Sequence, residues 1–77
     1  MNSLTISAGK TFFTFPGTLS VDISAYDSFI ASVFEKRQNH GSWASYAPGP
    51  FFKSITQFTP GKYYMVYAKE EFTIQYQ

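Results

Sequence analysis

The chain of 77 residues has no cysteine and only one histidine, His40. Disulfide bonds are therefore excluded, and these residues cannot supply the nitrogen and sulfur ligands of a structural zinc site. Charged residues make up 14% of the chain and the net charge is +1, which gives little electrostatic attraction to nucleic acid or anionic membrane. A domain this short must draw its stability from a dense core or from a partner.

Long apolar runs are also missing. None approaches the roughly 20 residues that a bilayer-spanning helix requires. The opening residues, MNSLTISAGK, lack the charged-then-apolar order of a signal peptide. We therefore expect a product of the cytoplasm with neither a signal peptide nor a transmembrane segment.

Aromatic residues, by contrast, form 21% of the chain. Each ring can bury roughly 150–250 Å² of surface. We expect one domain, residues 1–77, whose rings fill the core and leave some over for an interface.

Alternating apolar residues predict a mainly β fold. Leu4 and Ile6 alternate in a first run, and Phe13 and Phe15 alternate in a second. The second run stops at Pro16–Gly17, where the fixed φ of proline and the tolerance of glycine for positive φ suit a turn.

The next segment gives mixed signals. TLSVDIS, residues 18–24, alternates and reads as extended chain. Ser24 is suited to cap a short helix, with Asp27 completing a box-like pattern, whereas the residues around Val33 favour a strand. We expect a helical turn or two from about Ser24 that passes into a strand near Ser32, and the pattern leaves open whether residues 24–33 are helix or strand.

The second half of the chain predicts two hairpins. EKRQNHGSW, residues 35–43, has a polar tip at which Gly41 offers the left-handed conformation. After the Pro60–Gly61 turn, residues 63–67 are apolar on both faces, a charged turn spans 68–71, and residues 72–77 alternate. A strand that is apolar on both faces is central in a sheet or meets a partner. The expected fold is a small antiparallel β-sandwich or barrel-like domain with one short helical turn.

Residues suited to catalysis are scarce. His40 lies at the polar hairpin tip, GSWAS lacks the second glycine of a nucleophile elbow, and Glu70 and Glu71 would point to opposite faces of a strand. PGK lacks the rest of a phosphate-binding loop. We predict a protein that is not an enzyme and has no catalytic residue, cofactor or metal.

The surplus rings favour recognition, because Trp and Tyr dominate interface energetics. The candidate interface residues are Trp43, Tyr46, Phe51, Phe52, Tyr63 and Tyr67. Phe51 and Phe52 follow two prolines in APGPFF, a stiff irregular loop that either presents both rings to solvent or folds as a lid over the core.

Two other ligands remain as alternatives. Sugar rings stack on aromatic faces, for which Trp43, Tyr46, Tyr63 and Tyr67 would serve. Single-stranded nucleic acid would need Trp43 or Tyr63 beside a basic groove of Lys36, Arg37, Lys53, Lys62 and Lys69. A net charge of +1 is a weak source of such binding, so neither nucleic acid nor membrane is an expected partner.

Three motifs in the chain are SAGKTFFTFPG, SVFEKRQNHGSWASYAPG and ITQFTPGKYYMV. Their order resembles a small β-rich module of bacterial cell-surface and phage-related proteins. That module has a glycine-led strand ending in proline, GSW..Y on the return arm of a hairpin, and PGKGYW before a last pair of strands. The resemblance spans roughly Leu4 to Tyr76.

The chain departs from that module at two places. Lys10 replaces the usual tryptophan after the leading glycine, and Tyr63 replaces the glycine after PGK. If that glycine permits close backbone approach, Tyr63 must point outward or the strands must part. An outward Tyr63 beside Tyr67 would form an adhesive stripe.

The resemblance implies a packing or recognition unit. We expect a structural protein of a bacteriophage virion, either a capsid decoration protein or a component of the tail or a fibre. Its partners would be subunits of a homo-oligomer or of a capsid or tail lattice. A carbohydrate-binding or host-recognition module is the alternative.

Overall fold

The computed structural model describes residues 2–36, 43–50 and 53–77. Within these ranges the chain is mainly β, as predicted, and its strands pair antiparallel. The strands are β1 (Asn2–Ile6), β2 (Gly9–Thr14), β3 (Val21–Asp22), β4 (Ile30–Lys36), β5 (Trp43–Tyr46), β6 (Gln57–Phe58), β7 (Tyr63–Ala68) and β8 (Phe72–Tyr76). The helix found in these ranges is a 3-10 turn at Ile23–Tyr26, and no helix among them has the length and apolarity to cross a membrane.

The main sheet has four strands in the order β2-β7-β4-β5. Strand β7 lies inside it, hydrogen-bonded to β2 on one side and to β4 on the other. This position confirms the prediction from its two apolar faces. The arms of the predicted hairpin, β4 and β5, also pair as expected, while its tip at residues 39–41 lies outside the described residues.

The predicted pairing of the last two strands is wrong. Strand β8 pairs with β1 and strand β7 with β2, so two long chain segments run antiparallel past each other. Ile6 faces Phe72 and Gly9 faces Ala68, which leaves two residues on one segment opposite three on the other. Such a bulge bends the pair. Residues 69–71 contain no Gly, Asn or Pro to form a tight hairpin turn, and they bend the strand instead of reversing it.

Two predicted turns have different outcomes. At Pro60–Gly61 the prediction is confirmed, since Gly61 has a φ of 83° and the N–H of Lys62 donates to the carbonyl of Thr59 at 3.2 Å. Gly17 is not among the glycines with positive φ. It is buried, and a Cβ there would lie 3.0 Å from the ring of Phe15 and 3.1 Å from the carbonyl oxygen of Gln77. Close packing, and not backbone conformation, favours glycine at this position.

The ambiguous segment contains both elements. The 3-10 turn precedes β4, which begins at Ile30, so the predicted change from helix to strand is confirmed. Ser24 does not cap the helix. The residue that precedes the helix is Asp22, which makes no capping bond. Its carboxylate instead accepts a hydrogen bond from the side-chain amide of Gln57 at 3.0 Å. Of the predicted extended run, only Val21–Asp22 pairs, because its partner β6 has two residues.

The core lies on the inner side of the four-stranded sheet. Its largest fully buried side chains are Tyr64, Phe15, Phe58, Ile6, Ile23, Ile30, Ile74, Val33 and Val66. Phe58 touches the rings of Phe13, Phe15 and Tyr64, with centroids 5.1–5.9 Å apart. The two-residue strand β6 therefore fixes a cluster of rings beneath β2 and β7.

Candidate binding surface

The outer side of the four-stranded sheet collects side chains from all four strands. Residues directly opposite each other in an antiparallel pair point to the same face. Tyr67 is opposite Lys10 on β2 and Ser32 on β4, and Met65 is opposite Phe12 and Phe34. Tyr63 is opposite Thr14, and Lys36 is opposite Trp43. We call this outer side the aromatic face; its apolar members are Phe12, Phe34, Trp43, Tyr63, Met65 and Tyr67.

Four of these six side chains are exposed to solvent. The exposed fraction is 49% for Phe12, 41% for Trp43, 40% for Tyr63 and 38% for Tyr67. Phe34 and Met65, in the middle of the face, are half-buried. Contiguous exposed apolar surface of this kind marks interaction sites.

The rings of the aromatic face contact one another. Phe12 and Tyr63 stack with centroids 6.0 Å apart and planes at 16°. Trp43 lies on the other side of Tyr63 at 6.4 Å, while Phe34 meets Tyr67 edge-on at 6.5 Å. These contacts limit side-chain motion before any partner binds, which reduces the entropy lost on association.

The charge on this face is of one sign. Lys10 places its ammonium 5.8 Å from the ring centres of both Phe12 and Tyr67. Lys36 lies opposite Trp43 at the far end of β4. Among the described strand residues that point outward, none is Asp or Glu, since Glu35 points to the inner side opposite Tyr64.

On the inner side, Tyr64 has a different environment from the neighbouring Tyr63. Its hydroxyl donates to the carboxylate of Glu35 at 2.7 Å and accepts from the backbone N–H of Thr59. Burial, aided by the bond to Glu35, raises the pKa of Tyr64 to about 12, although the bond from Thr59 acts in the opposite direction. The phenol therefore ties β7 to β4 and to the 59–62 turn.

The expected surface position of Tyr46 is wrong. Tyr46 is 3% exposed and belongs to the core. Its hydroxyl donates to the carboxylate of Asp27 at 2.6 Å, and burial together with this carboxylate raises the pKa of Tyr46 to about 12. Strand geometry explains the position, since residues 43 and 46 are an odd number apart and point to opposite faces.

The other predicted residues are divided. Trp43, Tyr63 and Tyr67 share the aromatic face. Tyr63 points outward, and the neighbouring strands do not part there. Phe51 and Phe52 lie outside the described residues. Phe12, Phe34 and Met65 were missed as interface candidates, although the alternation of Phe13 and Phe15 implies that Phe12 points to the opposite face.

The four described lysines that were considered for nucleic acid lie at separate places on the fold. Lys36 lies on the aromatic face, whereas Lys62 and Lys69 flank the two ends of β7. The ammonium of Lys53 lies 5.5 Å from the ring centre of Tyr46 and donates to the carbonyl of Gly49 at 2.6 Å. Arg37 lies outside the described residues. In the part of the chain that the structure describes, stacking platforms are thus present without a continuous basic path beside them.

Within residues 2–36, 43–50 and 53–77, no group of three or more His, Cys, Asp or Glu side chains could hold a metal ion. The two carboxylates that bond to buried phenols, Asp27 and Glu35, are engaged in structural contacts.

Comparison with protein-family models, with curated proteins and with solved structures finds no match to this chain. The aromatic face is therefore the feature on which a function can be argued.

Proposed function

We propose that this protein is a non-enzymatic binding module whose aromatic face docks on a protein subunit of a larger assembly. The observation that supports this most directly is the exposure of Phe12, Trp43, Tyr63 and Tyr67 on one side of one sheet. Trp and Tyr are the residues that most often dominate the energetics of protein interfaces. A rigid sheet presents them without a folding step.

The size of the face indicates how it is used. Four strands spaced about 4.8 Å apart and some six residues long present roughly 400 Å². A standard interface buries about 800 Å² on each partner. The aromatic face alone therefore supplies about half of such an interface, which suits a subunit that is also held by other contacts in an assembly.

The positive charge of the face favours a partner of opposite charge. Lys10 and Lys36 lie on it without an acidic neighbour among the described outward-pointing residues. A complementary surface would carry apolar side chains in its centre and carboxylates opposite these two lysines. Pairing this face with an identical one would oppose rings to rings but provide no carboxylate for either lysine.

A site-specific photo-crosslinker tests the proposal. A benzophenone side chain replaces Tyr67 on the aromatic face, and a matched variant carries it at Leu19, an apolar residue that is 61% exposed but lies off the sheet. In the cells or particles that naturally contain the protein, we expect Tyr67 to yield one discrete protein adduct that Leu19 does not. Mass spectrometry identifies the partner.

Charge reversal provides the control for specificity. Lys10→Glu with Lys36→Glu should reduce the adduct at least several-fold, because both lysines would then repel the partner's carboxylates. Equal adducts from Tyr67 and Leu19 would contradict the proposal. An adduct with nucleic acid alone, or saturable binding of an oligosaccharide that shifts Trp43 fluorescence, would favour one of the two alternative ligands.

The bacteriophage virion is the proposed setting of this interaction, on the strength of the turn and aromatic motifs alone. A capsid decoration protein or a tail or fibre component meets a repeated protein lattice, where many weak copies of one contact add up. The same crosslinking experiment tests this setting. The adduct should contain a virion subunit, and the chain should remain with particles through purification.

A further inference from the structure

The two edge strands of the four-stranded sheet, β5 and β2, differ in the backbone hydrogen bonds that they make on their second edge. On β5, the carbonyl of Ser45 accepts backbone hydrogen bonds from Ser54 at 2.9 Å and from Ile55 at 3.4 Å. On β2, the paired neighbour is β7 alone, and no backbone group from another described segment bonds to its second edge. Strand β5 is four residues long and β2 is six. Among the described residues, the longer edge is therefore the open one.

Backbone alternation identifies which N–H and C=O groups of β2 point to the open edge. The N–H of Phe15 donates to the carbonyl of Lys62 at 3.0 Å, in register with the β2–β7 pairing. Alternation along an antiparallel ladder then directs the backbone groups of Thr11 and Phe13 toward β7. Those of Lys10, Phe12 and Thr14 point away from the sheet, so three N–H and three C=O groups form a template for another strand.

Strand β2 has one of the usual protections of an edge strand, a lysine, and lacks the others. Its sequence, GKTFFT, has no proline, and its pairing with β7 runs without a bulge. Thr and Phe favour extended chain. The single charge, Lys10, points to the outer face and not inward, where it would oppose pairing.

The pattern of β2 is self-complementary in one register. When a second copy extends the same sheet, its outward-pointing residues must lie opposite the outward-pointing residues of the first copy. The two-fold axis that relates the two strands must therefore pass through a residue and not between two residues. An axis at Phe12 pairs Phe12 with itself and Lys10 with Thr14, which uses all three residues that carry free edge groups. It also keeps the two lysines apart, whereas an axis at Lys10 would oppose them.

We propose that two copies of this chain pair antiparallel through β2, with Phe12 on the two-fold axis. The two four-stranded sheets join into one continuous sheet, and the two aromatic faces become one surface of twice the width. The pairing uses the edge of the sheet and is independent of what docks on the aromatic face. Because one strand pair is small beside a standard interface of about 1,600 Å², the dimer should dissociate on dilution in the micromolar range.

Single cysteines report the register, since the chain contains no other cysteine. With the axis at Phe12, the two Cα atoms of a Phe12→Cys variant lie about 5.5 Å apart, within disulfide range. In the matched Thr14→Cys variant they lie about 14 Å apart, beyond that range. At micromolar protein we expect disulfide-linked dimer to form at least about tenfold faster from Phe12→Cys, because the effective concentration within a dimer is millimolar.

Three further measurements complete the test. Lys10→Cys combined with Thr14→Cys should restore crosslinking, and denaturant should equalise the rates of all variants. Light scattering of the unmodified chain should give twice the monomer mass at high concentration. Equal rates for Phe12→Cys and Thr14→Cys in the native state, or a monomer at every concentration, would overturn the proposal.

A face-to-face dimer is distinguished by a separate variant. Trp43→Ser with Tyr63→Ser removes two rings of the aromatic face and leaves the β2 edge intact. The dimer should persist in this variant even where partner docking is lost. If the dimer is lost instead, the contact lies on the aromatic face, and pairing through β2 is refuted.

Discussion

Strand β7 presents two tyrosines in succession, and they have opposite surroundings. Tyr64 is fully buried on the inner side, and Tyr63 is 40% exposed on the outer side. The hydroxyl of Tyr64 bonds to Glu35 and Thr59, whereas within the described residues the hydroxyl of Tyr63 has no protein partner. Val66 and Met65 repeat the contrast one step along the strand.

Residue type does not separate buried rings from exposed rings in this chain. Both faces of β7 are apolar, so hydrophobic burial alone would be favourable on either side of the strand. The inner side is distinguished by polar partners for its phenols and by the rings of Phe58 and Phe13 that close over Tyr64. The outer side has rings that stay exposed at Phe12, Trp43, Tyr63 and Tyr67, with the ammonium of Lys10 over two of the four, and exposed apolar surface of this kind is typical of interaction sites.

Truncating the two tyrosines should give the largest difference. Tyr64→Ala removes a fully buried ring and leaves Glu35 without its donor, so we expect a loss of about 3–5 kcal/mol in the free energy of unfolding. A domain of this size has roughly that much stability, and the variant should be largely unfolded. Tyr63→Ala should lose about 1 kcal/mol or less, from its ring contacts.

Urea unfolding followed by tryptophan fluorescence measures both variants, since Trp43 is the one tryptophan of the chain. The protein is kept below the concentration at which it dimerises, so that association does not add to the stability of either variant. A loss at Tyr63 that equals the loss at Tyr64 would show that the outer rings belong to a core, and the aromatic face would no longer be a free surface.

Alkaline pH should act through the buried phenols. The pKa values of Tyr46 and Tyr64 are raised to about 12 in the folded chain, against about 10 for tyrosine in an unfolded chain. Between these values the unfolded chain loses protons that the folded chain retains, so the free energy of unfolding falls as the pH rises from about 10 to 12. Below pH 10 these two groups give no pH dependence.

Thermal unfolding at closely spaced pH values measures this effect. The matched control is the double variant Tyr46→Phe with Tyr64→Phe, which has no phenol at either position and should lose less of its melting temperature over the same pH interval. An equally steep decline in the control would assign the alkaline transition to other groups and remove the distinction between the inner and outer tyrosines.

The pattern of neighbouring residues in the sequence predicts those features of the fold that depend on neighbouring residues. The Pro60–Gly61 turn follows from the conformational preferences of those two residues, and the central place of β7 follows from its two apolar faces. The pairing of β8 with β1, instead of with β7, joins segments some 70 residues apart. Nothing in the alternation of either strand specifies that choice.

The candidate interface residues also divide into those whose position follows from the local pattern and those whose position depends on distant contacts. Trp43, Tyr63 and Tyr67 were predicted from residue type, and strand parity alone separates Tyr46 from them. Parity does not identify the partner that holds Tyr46 inside, because Asp27 lies 19 residues earlier in the chain. Whether a tyrosine hydroxyl finds a buried acceptor depends on tertiary packing and influences which rings remain exposed.

Removing only the hydroxyl groups gives the smallest difference and isolates their role. Tyr64→Phe keeps the ring and its contacts with Phe13 and Phe58, but leaves the Glu35 carboxylate and the Thr59 N–H without their partner. We expect a loss of about 1–3 kcal/mol in the free energy of unfolding, the range for groups left unsatisfied in a buried site. Tyr67→Phe on the aromatic face should change it by about 0.5 kcal/mol or less.

Denaturant titration of both variants under identical conditions tests this difference, and Glu35→Gln combined with Tyr64→Phe sharpens it. Because the double variant removes the carboxylate charge that Tyr64→Phe leaves unpaired, it should be less destabilised than the sum of the two single changes. Strict additivity would mean that Tyr64 and Glu35 do not act as a pair. The stability difference between the two faces of β7 would then come from ring burial alone, and hydroxyl bonding would have no part in determining which rings lie in the core and which lie on the aromatic face.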